Sequence, residues 1–135
     1  MSITIQSLLT TWGNAFKSGD PTEISKILDE NFKHINLHQA EKGFETLQES
    51  LDWIKTKPGI VSDIVSIYED DKRLIGTFKW KDSDKNPDTI MFHGIISNNK
   101  LLKFEIVRAP DLYSEKFFIF SNFYFIFKLS SKFRK

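Results

Sequence analysis

The sequence predicts an α+β fold in which helices close one side of a curled sheet around an apolar hollow, and three observations carry that prediction. Up to Pro58, apolar residues recur every three or four positions, which is the helical period. From Ile60 to Arg108 they mostly alternate, which is the strand period. One short alternating stretch, Phe32 to Leu37, interrupts the helical half, so a single early strand is set among the helices and a run of strands follows.

The elements follow in order. Ile5, Leu8, Leu9, Trp12, Ala15 and Phe16 fall on one stripe of a helix over about Ile3 to Lys17, and Ser18-Gly19 stops it because glycine accepts the left-handed conformation past a last turn. Asp20, Pro21 and Glu23 form a start signal for a second helix whose stripe is Ile24, Ile27 and Leu28, ending near Glu30. The strand from Phe32 to Leu37 has no inner face that the residues alone decide. A third helix over about Phe44 to Thr56 gathers Phe44, Leu47, Leu51 and Ile54, and Pro58-Gly59 terminates it. Four strands remain: Ile60 to Glu69, Arg73 to Lys81, Thr89 to Ile96 and Lys100 to Arg108, joined by turns at Asp70-Asp71-Lys72 and Ser97-Asn98-Asn99 and by the polar connection from Asp82 to Asp88.

At 135 residues, 40% hydrophobic and 27% charged, the chain has the size and balance of one domain with one core. A net charge of +1 gives no field for steering a polyanion, so nucleic acid is not an expected partner. The absence of cysteine excludes thiolate nucleophiles, disulfides and cysteine-ligated zinc. Met1 to Leu9 carries no basic residue ahead of its apolar ones and no cleavage signature, so the expected location is the cytoplasm. The six glycines form neither GxGxxG nor GxxxxGK, and no cofactor is expected.

In this order and spacing, "WGNAFKSGDPTEISKILDENFKHIN", "KGFETLQESLDWI", "LIGTFKWK" and "MFHGIISNNKLLKFEIV" resemble the nuclear transport factor two-like superfamily and, within it, the SnoaL-like group. The resemblance implies a cystatin-like α+β barrel: a cone of curved antiparallel sheet packed on three N-terminal helices, with the domain over residues 1–109 and residues 110–135 outside it. It also implies parity. His34 and Asn36, with Gly76, Phe78, Trp80, Ile90, Phe92, Gly94, Phe104 and Ile106, point inward, and more polar neighbours such as Lys79, Lys81, Lys103 and Glu105 point outward. Steroid isomerases of the superfamily use a carboxylate base on the first strand, a tyrosine on the first helix and a second acid on a later strand. The matching positions here are Asn36, Trp12 and Phe92, so all three roles are lost. SnoaL-like cyclases use a pocket aspartate or histidine, a role for which this chain offers only His34.

His34 is accordingly the candidate catalytic residue. Buried among Phe32, Trp80 and Phe104 it would be held neutral by desolvation, as a general base beside a ligand carbonyl or as a hydrogen-bonding cavity histidine. Asn36 can orient a carbonyl, a water or the imidazole but cannot take a proton. Trp12, Trp53, Phe78, Trp80, Phe92 and Phe104 either line a site for a flat apolar ligand or fill the core. Arg108 stands where a ligand carboxylate would meet the cone mouth. His38 belongs to a polar loop, and His93 falls on the outer sheet face, through which family members often pair, so a homodimer is expected there. The three histidines are too scattered for a metal site, and Glu69-Asp70-Asp71 lacks calcium-loop spacing.

Three functions compete: a binder of a small, largely apolar organic molecule, an isomerase- or cyclase-like enzyme using His34, and a ligand-free dimerisation module whose hollow is filled by aromatics. A void reaching His34 separates the first two from the third. A second polar group within hydrogen-bond reach of His34 separates enzyme from binder.

Past Pro110 the chemistry changes. Residues 110–135 hold five basic and two acidic groups and seven of the thirteen phenylalanines. The run Phe117 to Phe127 is about half the length a membrane-spanning helix needs. Packing against a sheet edge or dimer seam, and a run-on reading frame, are the expected explanations, ahead of contact with an anionic membrane surface.

Overall fold

A computed structural model describes residues 2–37, 43–82 and 86–110. The expectations placed on His38 and its loop, on the middle of the connection after Asp82 and on the C-terminal tail fall outside the described residues.

Helix α1 spans Ile5–Ser18. Its first turn is closed by reciprocal hydrogen bonds: Ser7 N donates to Thr4 Oγ1 at 3.0 Å and Thr4 N donates to Ser7 Oγ at 3.1 Å. Gly19 ends it at φ 77°, the left-handed position expected of it. Ile5, Leu8, Leu9, Trp12, Ala15 and Phe16 are buried, as the stripe predicts.

The second helix departs from expectation. α2 is a single turn, Thr22–Ser25, and strand β1 already begins at Leu28 and runs to Asn36. Asp20 accepts from Thr22 N at 3.0 Å and from Thr22 Oγ1 at 2.6 Å, turning the chain just ahead of α2. One turn is too short to sustain a helix by itself, whereas the sheet supplies backbone partners: Leu101 N donates to Ile27 O at 2.9 Å and Leu28 pairs with Leu101. Helix α3, Leu47–Lys55, starts later than its apolar stripe predicts. Phe44 is in a β-bridge with His34, with N–H···O bonds of 3.0 and 2.7 Å, so it belongs to the sheet side and Thr46 becomes the cap. Gly43 permits that bridge, because a Cβ there would lie 1.8 Å from the His34 carbonyl oxygen.

The last four strands are β2 (Ile60–Glu69), β3 (Arg73–Lys81), β4 (Asp88–Ser97) and β5 (Lys100–Pro110). Asp70 Oδ1 accepts from Lys72 N and Arg73 N at 2.8 and 2.7 Å to form the first turn. Asn98 and Asn99 take φ of 52° and 61° in the last one, the conformation of a tight hairpin loop. These strands form the expected antiparallel meander. The sheet order is β1-β5-β4-β3-β2, however, and β1 joins β5 in parallel, so the sheet is mixed and curves without closing. All three helices lie on its concave side, where Ile24, Phe32, Ile54, Phe92 and Leu101 are almost wholly buried.

Candidate functional site

The core does not fill the cone. A cavity of about 420 Å3 opens between α1, α3 and the concave faces of β1, β3, β4 and β5. Period 2 brings His34 and Asn36 to it from β1, Phe78 and Trp80 from β3, and Phe104, Ile106 and Arg108 from β5. Trp12 enters from α1. Of the predicted ligand-binding residues only Phe92 stays out: it is fully buried beneath Phe78 and Phe104, with ring centroids 5.9 and 5.1 Å away, and forms the floor under the wall.

Trp53, one of the aromatics expected to line a site or fill the core, also lines the cavity, and the other lining residues were not named as site residues from the sequence. Phe16 stacks edge-on against Trp80 at 4.9 Å, and Phe44 and Trp53 lie 5.1 Å apart, each edge-on to the His34 ring. Leu9, Pro58, Val61 and Ile90 complete the apolar wall. Asp82 is the polar addition. Its signal was available, because it follows Trp80 by two positions and shares its face, and Trp80 Nε1 donates to Asp82 Oδ1 at 2.7 Å.

His34 is partly buried in an aromatic collar: the rings of Trp12, Phe44, Trp53 and Phe104 approach it edge-on with centroids 5.7 to 6.5 Å away. Burial pushes its imidazole pKa down to about 4, because the cation loses hydration that no nearby charge replaces. Its Nδ1 is sealed and has no hydrogen-bond partner, which leaves Nε2 as the usable nitrogen. Trp12 Nε1 is likewise sealed and unpartnered. An unpartnered buried N–H is the rarer state, so we assign the imidazole proton to Nε2.

At the mouth, Arg108 Nη2 contacts Asp82 Oδ2 at 3.1 Å and Arg108 Nε contacts Asp88 Oδ2 at 2.5 Å. The guanidinium thus already has two carboxylates of its own chain. His93 lies outside the cavity on the convex face, paired with Glu105 at 2.9 Å. Among the described residues no group of three or more His, Asp or Glu side chains is arranged to hold a metal ion, and no helix is long and apolar enough to cross a membrane.

No protein-family model and no curated protein matches the sequence. Solved structures do match. An NTF2-like protein of unknown function from Cytophaga hutchinsonii superposes with a TM-score of 0.61 at 13% identity, covering 82% of this chain and 94% of that one. A second, from Burkholderia xenovorans, gives 0.62 at 13% identity over 80% and 84%. A Catenulispora acidiphila protein with a ketosteroid isomerase-like fold, in complex with trimethylamine, gives 0.56 at 8% identity over 76% and 85%. At such identities the likeness speaks for architecture alone, and with the curved sheet and its helices it leads to one statement: this chain has the fold of the nuclear transport factor two-like superfamily.

Proposed function

We propose that the chain binds a small, largely apolar, uncharged organic molecule in its cone, with His34 as the deep hydrogen-bonding group. The observation that carries this reading is the open space of about 420 Å3 reaching His34, where a dimerisation module would have an aromatic plug. That volume falls within the roughly 300–1,000 Å3 of small-ligand sites, and the apolar wall with few polar groups has their chemistry. A neighbour of this fold, solved in complex with trimethylamine, supports small-molecule binding as a role that the fold can take.

The charges favour a neutral ligand. A carboxylate would have to compete with Asp82 and Asp88 for Arg108, and His34 is uncharged at neutral pH. With its proton on Nε2, His34 donates, so the matching ligand group is an acceptor such as a carbonyl oxygen. Asn36, on the same wall, can donate or accept beside it.

Proton abstraction fits less well. A general base works best with a pKa near the operating pH and with a partner that orients it. His34 has a pKa of about 4, and its Nδ1 has no acceptor.

All three tryptophans, Trp12, Trp53 and Trp80, line the cavity, so their fluorescence reports occupancy directly. Native mass spectrometry of protein from its own host should show a retained small molecule. Adding that molecule to stripped protein should quench or shift the emission, with affinity reduced about tenfold in His34→Phe, the loss of roughly one hydrogen bond. A protein that carries no small molecule, and whose emission ignores a panel of neutral cyclic ketones, would rule the reading out.

A further inference from the structure

A second pocket, of about 280 Å3, lies against the cone and shares Phe16 and Asp82 with it as a common wall, yet its chemistry is opposite. Three lysines line it, each from a different part of the fold: Lys17 from the last turn of α1, Lys57 from the turn after α3 and Lys81 from the last position of β3. Parity separates the two hollows. Trp80 and Pro58 line the cone, whereas their chain neighbours Lys81, Lys57 and Gly59 line the second pocket. The turn is pressed onto the strand, because a Cβ at Gly59 would lie 2.6 Å from the Trp80 ring and 2.7 Å from the Lys81 carbonyl oxygen. Lys57 itself takes φ 52°, a left-handed conformation uncommon outside glycine, and its Cε lies 3.1 Å from where a Cβ on Gly19 would be. The backbone thus sets Lys57 beside the end of α1 and beside Lys81 together.

The charges in this pocket are unbalanced. Lys26, Lys33 and Lys55 each pair with a carboxylate elsewhere on the surface, but among the described residues no carboxylate pairs with Lys17, Lys57 or Lys81. Asp82, the acidic side chain in the pocket wall, is already engaged: Oδ1 accepts from Trp80 and Oδ2 from Arg108. A helix C-terminus favours a cation, which accounts for Lys17 and Lys57 one at a time. It does not account for Lys81 on a strand, nor for three lysines lining one pocket in a chain whose net charge is only +1. We infer that this pocket binds a phosphate-class oxyanion, whose charge the three ammonium groups share. Ile60, 57% exposed, and Phe16 add an apolar margin on which the organic part of a phosphate monoester can rest and which free phosphate leaves unused. The inference does not depend on what the cone holds.

Inorganic phosphate and phenyl phosphate, each titrated with the full-length protein and followed by 31P NMR, test this. Both should bind saturably at low salt, and added sodium chloride should weaken both. Lys17→Gln, Lys57→Gln and Lys81→Gln should each weaken phosphate binding about two- to fivefold, the scale of one exposed ion pair, and the triple variant should weaken it at least about tenfold. Lys26→Gln with Lys33→Gln removes two charges elsewhere and should change it by less than about twofold. Native tryptophan emission shows that each variant is folded, and the titration of the unsubstituted chain needs no variant at all. Tighter binding of phenyl phosphate than of inorganic phosphate assigns the pocket to a monoester, and equal or weaker binding assigns it to the free anion. A titration that never saturates, or that chloride reproduces at equal ionic strength, overturns the inference. So does phosphate binding that the triple variant retains in full.

Discussion

His34 links stability to pH in a direction that its surroundings fix. Its pKa falls from 6.5 to about 4 on folding, so between those values the unfolded chain binds more protons than the folded one. The contribution is fully present above pH 6.5 and is lost as pH falls toward 4. A shift of that size corresponds to about 3 kcal/mol. Other acid-sensitive groups are common to the native chain and a His34→Phe variant, so they cancel in the comparison. Urea unfolding of the two at pH 7.5 and pH 4 should therefore show the native chain losing about 3 kcal/mol relative to the variant. A constant difference across that range would mean the imidazole is solvated. At this scale much of the site was readable only through the family resemblance, which set the parity that turns His34, Asn36, Phe78, Trp80 and Phe104 inward, while the residues alone left the face of the His34 strand open. Alternation cannot say how deep a residue lies, and Phe92 went to the floor although it shares that parity. Nor does it reveal that Arg108 meets Asp82 and Asp88, since an ion pair depends on where two loop ends converge.

The helices and strands were legible where their periods are long and their ends chemically marked. Gly19 and the Asn98-Asn99 turn fall at boundaries of described elements, and the first helix begins two residues after the expected Ile3, behind a Thr4 cap that the sequence reading did not name. α2 and the start of α3 were misjudged because tertiary pairing outcompeted a short apolar stripe: Leu28 found Leu101, and Phe44 found His34. The Phe44 bridge places a cavity wall residue, and it tolerates only glycine before it. Gly43→Ala would press a methyl group into the His34 carbonyl, so it should cost more than about 2 kcal/mol and shift tryptophan emission as Phe44 leaves Trp53. Thr46→Ala, which removes the acceptor for Glu49 N at 3.2 Å, should cost about 1 kcal/mol and leave the emission unchanged. Equal fluorescence changes in the two variants would separate the bridge from the cavity.

For the whole molecule, the concave core bears the load and the cavity interrupts it. Phe92→Ala removes a fully buried ring from the floor and should cost about 3–5 kcal/mol in thermal or urea unfolding. A cost near 1 kcal/mol would mean that Phe78 and Phe104 collapse into the gap and that the cavity wall is soft. The sequence foretold an α+β fold around a hollow, yet it gave no sign that β1 runs parallel to β5, since period marks a strand without choosing its neighbour.

That parallel pairing has a temporal consequence. β5, the last described strand to be synthesised, sits between β1 and β4, so among the described strands β1 has no backbone pairing with the meander until β5 is made. His34 and Asn36 meet Phe104 and Ile106 only at that moment, across some seventy residues of intervening chain. A nascent or nicked chain lacking β5 therefore has no receptor at all. Any compound lodged there favours the finished product by mass action and tightens the clasp that forms last.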